Sequence, residues 1–186
     1  NPGSITNQFL VAAGFSPDDH SEHKATLLAK RRALTGKSLG LSYQDPILMH
    51  GAAFQFMYDS EGNSYLDAYN NIPHVGHGHP AISRAIAQQV RQLNTNTRYL
   101  YDALIDYTET LLDLFPDTLS KVFYVNSGSA AADLAVRMAN CHTGRNHTLV
   151  LEHGYHGNTN LGIDISSYKF DGHGGHGARS HVTPLP

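Results

Sequence analysis

The chain has 186 residues, of which 40% are hydrophobic and 16% are charged, and its formal net charge is −3. This composition is typical of one globular domain with a core, and it excludes a disordered chain. There is no strong positive charge to attract nucleic acid and no apolar run long enough to span a membrane, so neither partner is expected.

Cys141 is the single cysteine, which excludes an internal disulfide framework and is typical of a reducing compartment. Residues 1–15 lack a basic region ahead of their apolar stretch and do not resemble a signal peptide. We therefore expect a soluble protein of the cytoplasm.

An arm, a hairpin and a loop are predicted in the first part of the chain. A helix is predicted over 22–35, with Ser21 as its cap and Gly36 at its end. Alternating aromatic residues and a polar turn predict a β-hairpin over 53–66. Residues 70–80 contain prolines and glycines that favour a loop.

Two helices are predicted next. Apolar residues at helical spacing, with Pro80 in the first turn, predict a helix over 80–94. A second helix is predicted to begin with Asp102 as its cap and to stop before Pro116.

The pattern then changes to short apolar runs, which predict strands at 121–125, 147–151 and 181–185. An alanine-rich helix to about Asn140 follows the first run, and a glycine-rich loop is predicted at 171–177. Strands that alternate with helices in this way are typical of a parallel sheet built from βαβ units.

The sequence Asn-Ser-Gly-Ser, ending at Ser129, joins the first predicted strand to its helix. A helix N-terminus offers unpaired backbone N–H groups and partial positive charge, and Gly128 lets a ligand approach the backbone closely. Ser127 and Ser129 add hydroxyl groups, so the turn is a candidate phosphate site. The alternative is that Ser129 only caps the helix and Gly128 only makes the turn.

A second turn, EHGYHGNT, follows the next predicted strand. Tyr155 could place its ring on a flat, electron-poor ligand, and His156 could hydrogen bond or pack beside it. The alternative is a turn with a surface aromatic residue. The two turns together fit a planar phosphorylated cofactor better than either turn alone.

VNSGSAAADLAVRMA and LEHGYHGNT resemble segments of the class III (fold type I) pyridoxal-phosphate aminotransferases. YLDAYNNIPHVGHGHPAI, LNTNTRYLYD and DISSYKF look most like the branch that contains ethanolamine-phosphate and phosphohydroxylysine phospho-lyases. The resemblance runs from about Arg31 to the C-terminus. It implies an incomplete α/β fold: an N-terminal arm, hairpin and loop of the small-domain side at 1–79, then the first part of the large domain at 80–186. The large domain would hold a mixed, mostly parallel sheet with helices on both faces.

The resemblance implies pyridoxal 5'-phosphate as the cofactor. Gly128 and Ser129 would offer backbone N–H groups and a hydroxyl to its phosphate, with Ser127 beside them. Tyr155 would stack on the pyridine ring, with His156 beside it.

The resemblance also implies small-molecule amine and keto-acid substrates, and a homodimer with its active sites at the subunit interface. Asn71 and Tyr99 lie in segments that line the substrate side in such enzymes. Arg98 could meet a substrate phosphate or carboxylate, although a surface salt bridge is the commoner role for one arginine.

The Schiff-base lysine that such enzymes use is not identified, so no catalytic residue is assigned. Lysines occur at five positions, and none falls in a matching motif: Lys24, Lys30, Lys37, Lys121 and Lys169. We therefore expect a piece of a longer aminotransferase. Two alternatives stay open, a phospho-lyase acting on a phosphorylated amine such as ethanolamine phosphate, and a non-catalytic dimerisation or regulatory module. Residues 130–132 are all alanine where the family usually has Glu-Ala-Asn. Backbone contacts to a phosphate do not depend on these side chains, so the difference bears on the properties of the site and not on its location.

The thirteen histidines raise the possibility of a metal site. His74, His77 and His79 lie close together in the sequence, and His173 and His176 form a second pair. Their glycine-rich spacing differs from the helical spacing of a two-histidine zinc motif, so local hydrogen bonding is the favoured role and no metal is expected.

Overall fold

The computed structural model describes residues 21–69 and 74–186, and the chain divides into two compact units. The first unit ends at Tyr99, and the second unit spans Leu100–Pro186. The predicted domain boundary between residues 79 and 80 stays a prediction, because it concerns the domains of a whole family member.

Within the residues that the structure describes, the first unit contains two helices and a three-stranded antiparallel sheet. Its elements are α1 (Ser21–Leu34), β1 (Met49–Ala53), β2 (Phe56–Asp59), β3 (Ser64–Leu66) and α2 (Pro80–Gln92), with strand order β1-β2-β3. The predicted arm helix, hairpin and amphipathic helix are confirmed, with Pro80 in the first turn of α2. β1 was not predicted, because its sequence MHGAA has neither alternating hydrophobicity nor β-branched residues.

Asp59 organises the turn between β2 and β3. Its carboxylate accepts the backbone N–H groups of Glu61 and Asn63, both at 2.9 Å, and the Tyr65 hydroxyl at 2.8 Å. Burial alone would raise the pKa of this carboxyl, but these hydrogen bonds, with another from the Asn63 side chain, outweigh burial and lower it. The predicted polar turn is therefore held by one buried carboxylate.

The second unit contains four helices and two strands within the described part of the chain. They are α3 (Asp102–Leu112), α4 (Gly128–Thr143), β4 (Thr148–Leu151), α5 (Asn160–Asp164), α6 (Ser167–Phe170) and β5 (Val182–Leu185). β4 and β5 pair in parallel, with Thr148 opposite Val182 and Leu151 opposite Leu185, as the βαβ pattern predicts. Asp102 is the first helical residue of α3 rather than its cap, which is Tyr101.

The strand predicted at 121–125 is wrong. These residues are irregular, and none of them pairs with a strand in the part of the chain that the structure describes. Phe123 is 64% exposed. The segment has the apolar composition of a strand, but no neighbouring strand among the described residues is there to accept and donate its backbone hydrogen bonds. The Tyr124 hydroxyl lies 2.8 Å from Thr108 Oγ1, which places the segment beside α3.

The second unit buries a small apolar cluster around its parallel strands. Val150 and Val182 come from the two strands, and Ile165 and Phe170 come from the connection between them. The helices and turns of this connection therefore pack directly against the sheet. None of the described helices is long and apolar enough to cross a membrane.

Candidate functional site

The N-terminus of α4 is capped by Ser127. Its backbone is extended, and its hydroxyl accepts the N–H of Ala130 at 3.1 Å. The N–H groups of Gly128 and Ser129, at the first two helical positions, have no acceptor within the helix. A Cβ added to Gly128 would meet nothing within 4 Å. The first turn of α4 therefore keeps two N–H donors and open space for an anion.

Ser129 joins this helix N-terminus to the second turn, so the alternative in which Ser129 caps the helix is wrong. Its hydroxyl accepts the backbone N–H of Asn158 at 3.0 Å, a contact across 29 residues. Gly157 has a φ of 121°, and a Cβ there would lie 2.7 Å from Ser129 Cα. Only glycine fits this close approach. The chain thereby brings together the two turns that the sequence singles out, although no strand precedes α4.

Two serines that were not predicted form hydrogen bonds with the backbone of the second turn. Ser166 Oγ accepts the backbone N–H of His156 at 2.8 Å, and Ser167 Oγ accepts that of Gly154 at 2.9 Å. Both serines are buried. The signal in the sequence is the Ser-Ser pair between Ile165 and Tyr168, but the backbone groups that the two hydroxyls bond to can be identified only from the structure.

Tyr155 lies at the tip of the second turn with its ring half-exposed. Its ring meets that of Tyr168 edge-on, with the two centroids 6.3 Å apart. Lys169 Nζ lies 5.5 Å from the Tyr155 centroid and 5.4 Å from the Tyr168 centroid. Lys169 belongs to the short helix α6. Tyr168 and Lys169 thus contact the Tyr155 ring, while about half of the residue stays exposed and available to a flat ligand.

His156 lies folded into the same turn. Its Nε2 is buried and has no hydrogen-bond partner among the described residues. A Cβ on Gly154 would lie 2.9 Å from this atom, so the ring is packed against the turn's own backbone. Buried polar atoms normally have partners, and an orphaned one in the turn that carries Tyr155 fits a site completed by a polar ligand.

The three predicted substrate residues belong to the first unit of the chain. Asn71 lies outside the described residues. Arg98 and Tyr99 lie at the end of the first unit, where Arg98 Nε donates to Asn96 Oδ1 at 3.2 Å. Tyr99 is exposed. Their roles stay predictions.

Local hydrogen bonding is confirmed for two of the loop histidines. His77 Nε2 lies 2.7 Å from Asp67 Oδ2, and His79 Nδ1 accepts the N–H of Ala81 at 3.3 Å at the start of α2. Across residues 21–69 and 74–186, no group of three or more His, Cys, Asp or Glu side chains is placed to hold a metal ion.

Residues 42–179 match the family model described as aminotransferase class-III. An alanine–glyoxylate aminotransferase 2-like protein of Drosophila melanogaster is 40% identical over 166 residues, which cover 88% of this chain and 34% of that protein. The chain therefore spans about a third of the length of this curated relative.

Solved structures show the same fold. A phospholyase from Arthrobacter in complex with phosphoethanolamine is 41% identical, with a TM-score of 0.78, over 86% of this chain and 37% of that one. A taurine:2-oxoglutarate aminotransferase from Bifidobacterium kashiwanohense, solved with PLP and glutamate, is 20% identical with a TM-score of 0.73, over 87% of this chain and 37% of that one. The predicted α/β fold and the predicted family of pyridoxal-phosphate enzymes are confirmed. The chain belongs to the class III aminotransferase family.

Proposed function

We propose that the protein to which this chain belongs is a pyridoxal-phosphate-dependent aminotransferase that moves an amino group from an amine to a keto acid. The observation that carries the proposal is the contact of Ser129 with Gly157 and Asn158. It brings a helix N-terminus with free N–H donors next to a turn that carries an exposed aromatic ring. A phosphate bound to the donors and a flat ring beside Tyr155 are the two ends of this cofactor.

Each residue has a distinct part in the proposed site. The N–H groups of Gly128 and Ser129 bind the cofactor phosphate, and Ser127 orients them by capping the helix. Tyr155 stacks on the cofactor ring, and the buried Nε2 of His156 gains a polar partner when the site is filled. Bound pyridoxal phosphate supplies an electron sink for the carbon next to the substrate amine. Substrate contacts by Asn71, Arg98 and Tyr99 belong to the same proposal.

Phosphate elimination from a phosphorylated amine is the second candidate function. It is favoured by the identity of 41% to a phospholyase bound to phosphoethanolamine. Both reactions begin by removing a proton next to the amine, so the cofactor-binding turns serve either. The two candidates differ in co-substrate: transamination consumes a keto acid, whereas elimination releases inorganic phosphate without one.

A homodimer with cofactor sites at its interface, and a location in the cytoplasm, complete the proposal. A non-catalytic dimerisation or regulatory module is the remaining alternative, since no lysine of residues 1–186 falls in a catalytic motif. Either enzyme would attach the cofactor covalently to a lysine, whereas a non-catalytic module would not.

The test uses the protein of natural length, purified without a histidine tag and incubated with pyridoxal phosphate. Borohydride reduction, intact mass and peptide mapping then locate any covalent adduct. The proposal expects one adduct per chain, on a lysine outside residues 1–186. An unmodified protein, or an adduct only on one of the five lysines present here, contradicts it. Incubation of the same sample with phosphoethanolamine, with and without a keto acid, decides between transfer and elimination.

A further inference from the structure

We propose that Ser166 and Ser167 are positioning residues for cofactor binding. They hold residues 154–157, here called the GYHG turn, in the conformation that presents Tyr155 to the cofactor. This inference rests on the proposed function, because it takes the GYHG turn as part of the cofactor site. Both serines are buried and bond to the backbone of the turn, so they act on the cofactor site through that backbone.

The hydrogen bonds of the two hydroxyls run in fixed directions. Ser166 Oγ accepts the N–H of His156 at 2.8 Å and donates to the Gly162 carbonyl at 2.6 Å. Ser167 Oγ accepts the N–H of Gly154 at 2.9 Å and donates to the Leu151 carbonyl at 2.9 Å. A hydroxyl has one proton to give, and each is used on a carbonyl, so each backbone N–H must be the donor to its serine. The GYHG turn is thereby linked to the end of β4 and to α5.

Both bonds are made away from water, since Ser166 is 0% exposed and Ser167 is 2% exposed. A buried N–H that loses its acceptor bears the full cost of desolvation, and water cannot replace the serine without entering the interior. The bonds flank Tyr155 on both sides, at residues 154 and 156. The backbone N–H of Tyr168 also donates to the Gly154 carbonyl at 3.2 Å. Tyr168, whose ring contacts the Tyr155 ring, is therefore bonded to the same turn.

The two serines are not equivalent. The Gly154 N–H also donates to the Leu151 carbonyl at 3.1 Å, so it keeps an acceptor when the Ser167 hydroxyl is removed. The His156 N–H has Ser166 as its acceptor, with no second one among the described residues. Ser166 is therefore expected to matter more for the placement of Tyr155 than Ser167.

The experiment compares S166A and S167A with the wild-type protein, each at natural length, by titration with pyridoxal phosphate. Loss of one buried hydrogen bond of this kind is expected to weaken binding about tenfold for S166A, and about threefold for S167A. Hydrogen exchange of the His156 amide, read by NMR, should become faster in S166A and stay near the wild-type rate in S167A. S166C keeps the size of the side chain with a weak hydrogen-bonding group and should fall between S166A and the wild type.

Ile165→Val is the matched control, because Ile165 is a buried neighbour that belongs to the apolar cluster. It should lower the unfolding temperature without changing the affinity for pyridoxal phosphate or His156 exchange. Folded S166A that binds like the wild type would overturn the proposal, and so would I165V weakening binding in proportion to its lost stability. If S166A does not fold, S166C and S167A decide in the same way. A wild-type protein of natural length that does not bind pyridoxal phosphate would overturn the proposed function, whereas wild-type binding that S166A leaves unchanged would overturn only the positioning role.

Discussion

Gly157→Ala tests the contact that joins the two turns of the site. The added Cβ would lie 2.7 Å from Ser129 Cα and 2.9 Å from its hydroxyl oxygen, and the φ of 121° is one that alanine rarely adopts. The backbone conformation costs about 1–3 kcal/mol, and overpacking costs about another 1–3 kcal/mol. Together, about 2–6 kcal/mol is a large part of the roughly 5–15 kcal/mol that stabilises a typical domain. We expect the GYHG turn to move away from Ser129 and the Asn158–Ser129 hydrogen bond to break.

The measurements for G157A are urea denaturation followed by circular dichroism, and titration with pyridoxal phosphate. Gly174→Ala is the matched control, because Gly174 also has a positive φ, of 82°, but an added Cβ would meet nothing within 4 Å. G174A should be destabilised only by the left-handed backbone conformation, by about 1–2 kcal/mol, and should keep its affinity for pyridoxal phosphate. Equal stability and equal affinity in G157A and G174A would refute the reasoning that the close approach to Ser129 shapes the site.

Three further predictions concern single groups. Ser127→Ala removes the cap of α4 and should lower the free energy of unfolding, measured by urea denaturation, by about 1 kcal/mol. Ser120→Ala, on the exposed surface, should change it by no more than about 0.5 kcal/mol. Equal effects of the two substitutions would contradict the capping role. Tyr155→Phe keeps the ring and should bind pyridoxal phosphate nearly as the wild type does, whereas Tyr155→Ala should bind about three- to tenfold more weakly, and equal affinities would exclude stacking. The folded-state pKa of Asp59 is lowered, so its stabilisation of the first unit is present above the unfolded value of about 3.9 and is lost as the pH falls through the lower folded value. Urea denaturation over that acidic range should show this loss in the wild type and less of it in Asp59→Asn, and parallel curves would contradict it.

Local signals predicted most of the helices and the parallel pair of strands. Pro80 fixed the start of α2, and Gly144, with a φ of 65°, ends α4 at Thr143, just beyond the predicted end near Asn140. Both features depend on a few neighbouring residues, which is why a sequence pattern can report them. The hairpin turn was predicted for the same reason, since the side chain of Asp59 bonds to residues that follow it closely.

Features that depend on residues distant in the sequence were either not predicted or predicted wrongly. Residues 121–125 have the composition of a strand, but a strand also needs a neighbour, and composition does not say whether one is there. The sequence predicted that both turns belong to one site, with each turn following a predicted strand. Instead, Ser129 makes the connection through Gly157 and Asn158. The support from Ser166 and Ser167 was missed because a serine hydroxyl carries no sign in the sequence of which backbone it will bond.

The central claim is that the first N–H groups of α4 and the ring of Tyr155 bind the two ends of pyridoxal phosphate. The most direct measurement is an NMR titration of the ¹⁵N-labelled chain with this cofactor, with inorganic phosphate as the comparison. We expect phosphate to shift the amide signals of Gly128 and Ser129, and pyridoxal phosphate to shift the amide signal of Tyr155 as well. Unchanged signals at Gly128 and Ser129, with shifts elsewhere in the chain, would contradict it.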